Sequence, residues 1–176
     1  MLRVHAPSSM SLHKRDSSFE PVDVAVEELT RRQLSVIARM NVRIFEEDRI
    51  INSFAREDLM ILLATVSGTP AGFKIGYREN KRTFYSAKGG VMPAYRRQGI
   101  ARRLLFEMMD RAHHRGYDYF TFDTFPNKHP GMAILAMIEG FRLTLADYNP
   151  TYKDHRLRFE YDLRDYEPLF VRAPAE

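Results

Sequence analysis

Ile100, Leu104, Met108 and Ala112 recur every four residues, and Ala101, Leu105 and Met109 widen them into one apolar stripe. That period predicts an amphipathic helix from Ile100 to its glycine stop at Gly116. A strand pattern, Thr83 to Met92, leads into it, and an aromatic-rich one, Tyr119 to Phe125, follows it. Two strands joined through a helix pair in parallel, with the helix crossing one face of the sheet. This crossover restricts the chain to an α/β architecture.

The segments around the crossover read as hairpins and short helices. Val22, Val24 and Val26 alternate in a first strand, Val22 to Glu28, and Thr30 is placed to cap a helix running to about Phe45. A second short helix is predicted for Ile50 to Arg56. Leu59 to Val66 is a continuous apolar run, hence a buried strand. Ser67-Gly68-Thr69-Pro70 turns the chain into the next, Ala71 to Arg78. Pro130 suits the first turn of a later helix and Gly140 its end. Phe141 to Ala146 and Arg156 to Leu163 close the sheet. Residues 1–20 read as a mobile leader, 21–164 as one domain, and 165–176 as a tail that is loose from about Tyr166.

The chemistry concentrates where the crossover strand meets its helix. Arg96, Arg97, Arg102 and Arg103 flank Gly99. Cations in the first turn of a helix oppose its dipole at roughly 0.3–1 kcal/mol each, unless an anion sits there. Free backbone N–H groups at a helix start bind anions, and a glycine lets the backbone approach one closely. The loop lacks the Gly-Lys-Ser/Thr end of a metal-assisted nucleotide site and the spaced glycines of a dinucleotide fingerprint. A metal-free polyphosphate fits it best.

Composition narrows the alternatives. The 176 residues are 44% hydrophobic and 28% charged, enough for a sizeable core, with a net charge of +4 and no block of like charge. With no cysteine, thiolate chemistry and disulfides are excluded. No apolar run approaches a membrane span. His113 and His114 are adjacent on a helix and diverge, and His129 and His155 have no spaced partners, so no metal is expected. Met108, Met109, Met132 and Met137 read as core.

The run Val91-Met92-Pro93-Ala94-Tyr95-Arg96-Arg97-Gln98-Gly99-Ile100-Ala101 resembles the pyrophosphate loop of the GNAT acetyltransferase superfamily, Val-x-Pro-x-Tyr-Arg/Gln-x-x-Gly-x-Gly/Ala. Asn127, Met132, Leu135 and Gly140-Phe141 resemble that family's following segment, and the order of elements agrees from about Val22 to Leu163. The resemblance implies a mixed, mostly antiparallel sheet of six to seven strands, with helices on both faces and a parallel strand-helix-strand acyl-CoA site. It implies that Gly89, Gly90, Val91 and Met92 offer backbone groups to the pantetheine arm. Arg97, Gln98, Gly99, Ile100, Ala101 and Arg102 would wrap the pyrophosphate, with Asn127 and Met132 completing the cofactor contacts.

The co-substrate it implies is acetyl-CoA, without a metal, and the acceptor a small-molecule or peptide amine attacking the thioester directly. The cytoplasm and a homodimer are the expected setting, with no membrane or nucleic-acid partner. The family often places a tyrosine as general acid where this chain has Ala136. Candidate bases are Asp123, a carboxylate within an aromatic strand, and Glu46 and Glu47 at the junction after the first helix. Asp123 has a structural alternative, a salt bridge such as one to Lys88. The missing tyrosine keeps a non-catalytic acyl-CoA-binding or regulatory domain open beside the enzyme, and a basic nucleic-acid binder ranks last.

Overall fold

The computed structural model describes residues 23–168. The predicted leader and residues 169–176 lie outside them. Seven strands form one sheet in the order β1-β2-β3-β4-β5-β7-β6. They are β1 (Val24–Glu28), β2 (Met60–Val66), β3 (Thr69–Arg78), β4 (Thr83–Val91), β5 (Tyr119–Thr124), β6 (Arg142–Asn149) and β7 (Asp154–Asp162). The β4–β5 pair is parallel and every other neighbour pair is antiparallel.

Three α-helices cover the sheet: α1 (Leu34–Phe45), α2 (Ile100–His114) and α3 (Pro130–Ile138). α2 fills the crossover between β4 and β5, and its inward side chains Leu104, Leu105, Met108 and Met109 are buried with Phe84, Phe120, Phe122 and Phe159. Ala133 and Ala136 bring α3 onto the same face. α1 lies on the opposite face, where Ile37 and Met40 meet Ile61, Leu63, Phe73 and Ile75.

Thr30 does act at a helix start, its N–H donating to Gln33 Oε1 at 2.9 Å, but a 3-10 turn (Arg31–Gln33) precedes α1. Ser67 and Gly68 take φ of 48° and 76°, the left-handed pair of a two-residue hairpin. Met108 and Met109 are core, whereas Met137 is exposed on α3.

Two further expectations are corrected. Residues 50–56 form no helix. Ser53 Oγ accepts the Ala55 N–H at 3.1 Å, a local bond that competes with helical pairing. Ile50, Ile51 and Phe54 instead pack irregularly against the α1-side core. Tyr166 is no loose residue: it is buried, with its ring edge-on to those of His113 and Tyr161.

Candidate active site

The site begins where two strands part. β4 pairs with β5 from Thr83↔Tyr119 to Ser86↔Phe122 and no further, while β5 stays with β7 as far as Thr124↔Leu157. A register shift between Ile75 and Gly76 sets Ala87 outside the β3–β4 pairing. Beyond Ser86, β4 still pairs with β3 as far as Val91, so its other edge opens a wedge toward β5. A strand edge of this kind offers a row of main-chain donors and acceptors to an extended ligand. Gly89, Gly90 and Val91 lie along it.

The two glycines serve different faces. A Cβ on Gly90 would meet Ile44 Cγ2 at 2.9 Å and the Phe45 ring at 3.0 Å, so the end of α1 presses onto the strand there. A Cβ on Gly89 would meet the Lys74 side chain at 3.2 Å on the other face. Met92 donates its N–H to Ala71 O at 2.8 Å, and its side chain packs on the α1-side core.

At the strand's end Pro93–Tyr95 forms a 3-10 turn and the chain enters α2. Arg97 and Gly99 both take left-handed φ, 63° and 78°. For arginine that backbone costs about 1 kcal/mol or more and recurs at ligand clamps. α2 has no side-chain N-cap, and Arg103 N–H, bonded to Gly99 O at 2.9 Å, is its first amide with a backbone acceptor. The amides of Ile100, Ala101 and Arg102 therefore project at the positive end of a 15-residue helix. Nothing lies within 4 Å of where a Gly99 Cβ would stand, so the approach is open. These features fit a pyrophosphate.

Two of the arginine side chains at the helix start meet carboxylates. Arg102 forms a two-bond pair with Glu139 at the end of α3 and lies over the Phe106 ring at 4.9 Å. Arg103 approaches Glu107 at 3.6 Å. These carboxylates offset the unfavourable placement on the helix dipole, and the backbone amides of the first turn stay open. Arg96 Nε donates to Val91 O at 3.3 Å, and Gln98 Nε2 to Ala94 O at 3.3 Å.

Asn127 and Met132 lie across the wedge, in the β5–α3 connection and the first turn of α3. Asn127 Nδ2 donates to Asp154 Oδ1 at 2.6 Å, which orients the amide. That hydrogen bond is the main cause holding the Asp154 carboxyl below its ordinary range.

On the α1 side of the wedge the candidate bases separate. Asp123 is clamped: Oδ1 accepts from Arg158 Nε at 2.7 Å, while Oδ2 accepts from Arg158 at 3.3 Å and from the Tyr85 hydroxyl at 3.3 Å. Arg156 adds a contact at 3.5 Å. Its ionic partners are thus arginines of β7, not Lys88. Burial, and then the Asp123 charge, push the Tyr85 hydroxyl well above the usual tyrosine range. Lys88 instead reaches Glu47 and the Arg49 carbonyl, with its ammonium 4.6 Å from the Phe45 ring centre. The exposed Glu46 takes a left-handed φ of 57° and ends α1 through its N–H to Val42 O.

Sequence reasoning passed over three of these features. The Asp123 partners Arg156 and Arg158, and the Asp154 that orients Asn127, come from β7, whose register no local pattern encodes. Lys74 did carry a signal, as a lone lysine in the apolar strand Ala71-Gly72-Phe73-Lys74-Ile75-Gly76. It is buried, and burial lowers its pKa to about 8.

No helix among the described residues is long and apolar enough to cross a membrane. Among the same residues no group of three or more His, Asp or Glu side chains is arranged to hold a metal.

Comparison with known proteins agrees with this geometry. The family described as acetyltransferase (GNAT) domain matches residues 16–128, more than half of the chain. No curated protein sequence matches. Among solved structures, the ribosomal-protein-S18-alanine N-acetyltransferase of Escherichia coli superposes with a TM-score of 0.68 at 18% identity, covering 85% of this chain and 99% of its own. A GNAT acetyltransferase of Elizabethkingia anophelis with acetyl-CoA bound gives 0.68 at 16% identity, over 79% and 97%. An Arabidopsis thaliana protein in complex with the bisubstrate analogue CoA-Ac-MVNAL gives 0.65 at 18%, over 80% and 99%. At these identities the structures establish the fold, and the family match adds acetyl transfer with acetyl-CoA as co-substrate. With its parted parallel strands and glycine-led helix start, the chain belongs to the GNAT acetyltransferase family.

Proposed function

We propose that this protein transfers the acetyl group of acetyl-CoA to an amine, small-molecule or peptide, by direct attack on the thioester. The observation that carries the proposal is the β4 edge left open after Ser86↔Phe122, leading to the uncapped amides of α2. The edge from Gly89 to Met92 takes the pantetheine arm, and the loop from Arg97 to Arg102 takes the pyrophosphate. Asn127 and Met132 close over the arm.

Among the acids, Glu47 suits the base best. Asp123 has both carboxylate oxygens engaged by Arg158 and Tyr85, which commits its charge to structural partners. Glu47 is exposed, it pairs with Lys88 through Oε1 alone among the described residues, and it adjoins the open edge. In this proposal Glu47 removes the acceptor's proton, Glu46 adds charge at the mouth, and Asp123 holds Tyr85 and the two arginines that wall the acceptor side.

Millimolar CoA should raise the melting temperature by several degrees, because a micromolar ligand at that excess adds about 4 kcal/mol. Gly99→Glu should remove the shift while the protein stays folded, since its carboxylate enters the anion site. No shift in the wild type would sink the proposal. An amine-library screen read by free-thiol release then separates the enzyme from a non-catalytic binder, the reading that Ala136 favours. With any acceptor so found, Glu47→Gln should lower kcat about 100-fold or more at unchanged CoA affinity. An unchanged kcat removes Glu47 as the base.

A further inference from the structure

Lys74, whose stem lies against Gly89, has no role in the function proposed above, and its position is hard to explain as packing. On β3 the glycines two residues either side face α2: a Cβ on Gly72 would meet Ile100 and Leu104, and one on Gly76 would meet Phe84 and Met108. By strand alternation Lys74 faces the same way. It pairs with Gly89 of β4, and its Cγ lies 3.2 Å from where a Gly89 Cβ would stand. The stem therefore lies where β4 has no side chain. Nζ comes within 5.9 Å of the centre of the Phe122 ring. Phe122 belongs to the last β4–β5 pair, so the ammonium lies at the fork of the wedge.

The surroundings there are neutral. Lys74 is 6% exposed and joins no ion pair among the described residues. The buried polar neighbours on the same face of β4 and β5 are Ser86 and Thr124, both uncharged. α2 and α3 present Leu104, Met108, Ala133 and Ala136 to this core. The α2 acids are taken up elsewhere, Glu107 by Arg111 and Asp110 by His114. An ammonium held in such a place without a carboxylate is costly, and one sited where a ligand's reactive end arrives points to use.

We propose that Lys74 is the proton donor to the departing coenzyme A sulfur, a catalytic role that rests on the acetyltransferase function above. The acceptor nitrogen bonds to the thioester carbonyl carbon and gives up a proton to the base. The carbon–sulfur bond breaks and sulfur keeps the electron pair. Lys74 Nζ–H supplies the sulfur's proton, leaving a free thiol and a neutral amine that water reprotonates. Burial tunes the ammonium to about 8, close to a thiol at about 8.5, so the transfer is nearly balanced. It also supplies the acid that Ala136, fully buried in the same core as Phe122, does not.

The test needs no acceptor. Wild type and Lys74→Met are titrated with CoA and with desulfo-CoA at about pH 8, and the bound thiol is followed across pH by its thiolate absorbance. An adjacent ammonium lowers a thiol pKa by about one unit or more. The wild type should therefore bind CoA about threefold more tightly than desulfo-CoA at that pH, and its bound thiol should ionise about one unit early. Lys74→Met should bind both ligands alike, with an unshifted thiol. The same preference and the same early ionisation in Lys74→Met overturn the assignment. Should that variant not fold, the wild type decides alone: CoA bound with an unshifted thiol and no preference over desulfo-CoA overturns it. CoA failing to bind the wild type at all brings down the acetyltransferase proposal as well.

Discussion

At the scale of single residues, two charges at the wedge, Asp123 and Lys74, follow opposite logic. Asp123 is compensated: an arginine grips both oxygens, and the pair serves packing and orientation. Lys74 is uncompensated, and burial alone lowers its pKa from 10.5 to about 8. A lysine that holds its proton less well folded than unfolded makes stability depend on pH with a definite sign. Between about pH 8 and 10.5 the unfolded chain binds more protons, so stability rises with pH across that window. Below about pH 8 the folded protein carries the whole penalty, about 2–4 kcal/mol. Lys74→Met keeps the unbranched stem and removes the charge. It should be more stable than the wild type at pH 7 by an amount of that order, with the gap closing by about pH 10.5. Denaturant unfolding of both proteins at the two ends of the window measures this. A gap that stays constant with pH would show that the ammonium is not desolvated.

At the scale of elements, what the sequence discloses depends on how local the determining interaction is. α2 is legible from Ile100 to Gly116 because its stripe and its stop are written in consecutive residues. The Ser67-Gly68 hairpin is legible because the left-handed pair lies within the turn. The uncapped helix start proposed to take the anion is legible for the same reason: Gly99, the helix and the strand before it are contiguous. Residues 50–56 fail because their apolar residues satisfy a period but are drawn singly into the α1-side core, with Ser53 bonding the backbone. The partners of the catalytic candidates are hidden for a different reason. Asp123 reads as an unpaired carboxylate until Arg158, 35 residues downstream on β7, is placed opposite it. Glu47 and Lys88 meet across 41 residues. Lone polar residues on apolar strands, Asp123 and Lys74 alike, are signals visible in sequence, but only the neighbouring strand tells which one is neutralised.

At the scale of the whole molecule, the family match ends at residue 128, while the proposed acceptor side rests on the two strands C-terminal to it. β7 sends Arg156 and Arg158 toward Asp123, and β6 forms the sheet's outer edge, paired to β7 alone and exposed along most of its length. β2 and β3 are buried over most of their residues and carry α2 on one side and α1 on the other. Such an uneven distribution of burial predicts a hierarchy of opening rather than a uniform one. In hydrogen exchange, the amides of β2 and β3 should be the slowest in the protein. Those of β6 and of α3, whose Ile134, Met137 and Ile138 stand exposed, should exchange at least about tenfold faster. CoA should then act locally, slowing the amides of residues 97–102 and the open edge 87–91 while leaving β6 near its free rate. Protection that falls on β6 and spares residues 97–102 would place the ligand at the far edge of the sheet and refute the wedge as its site.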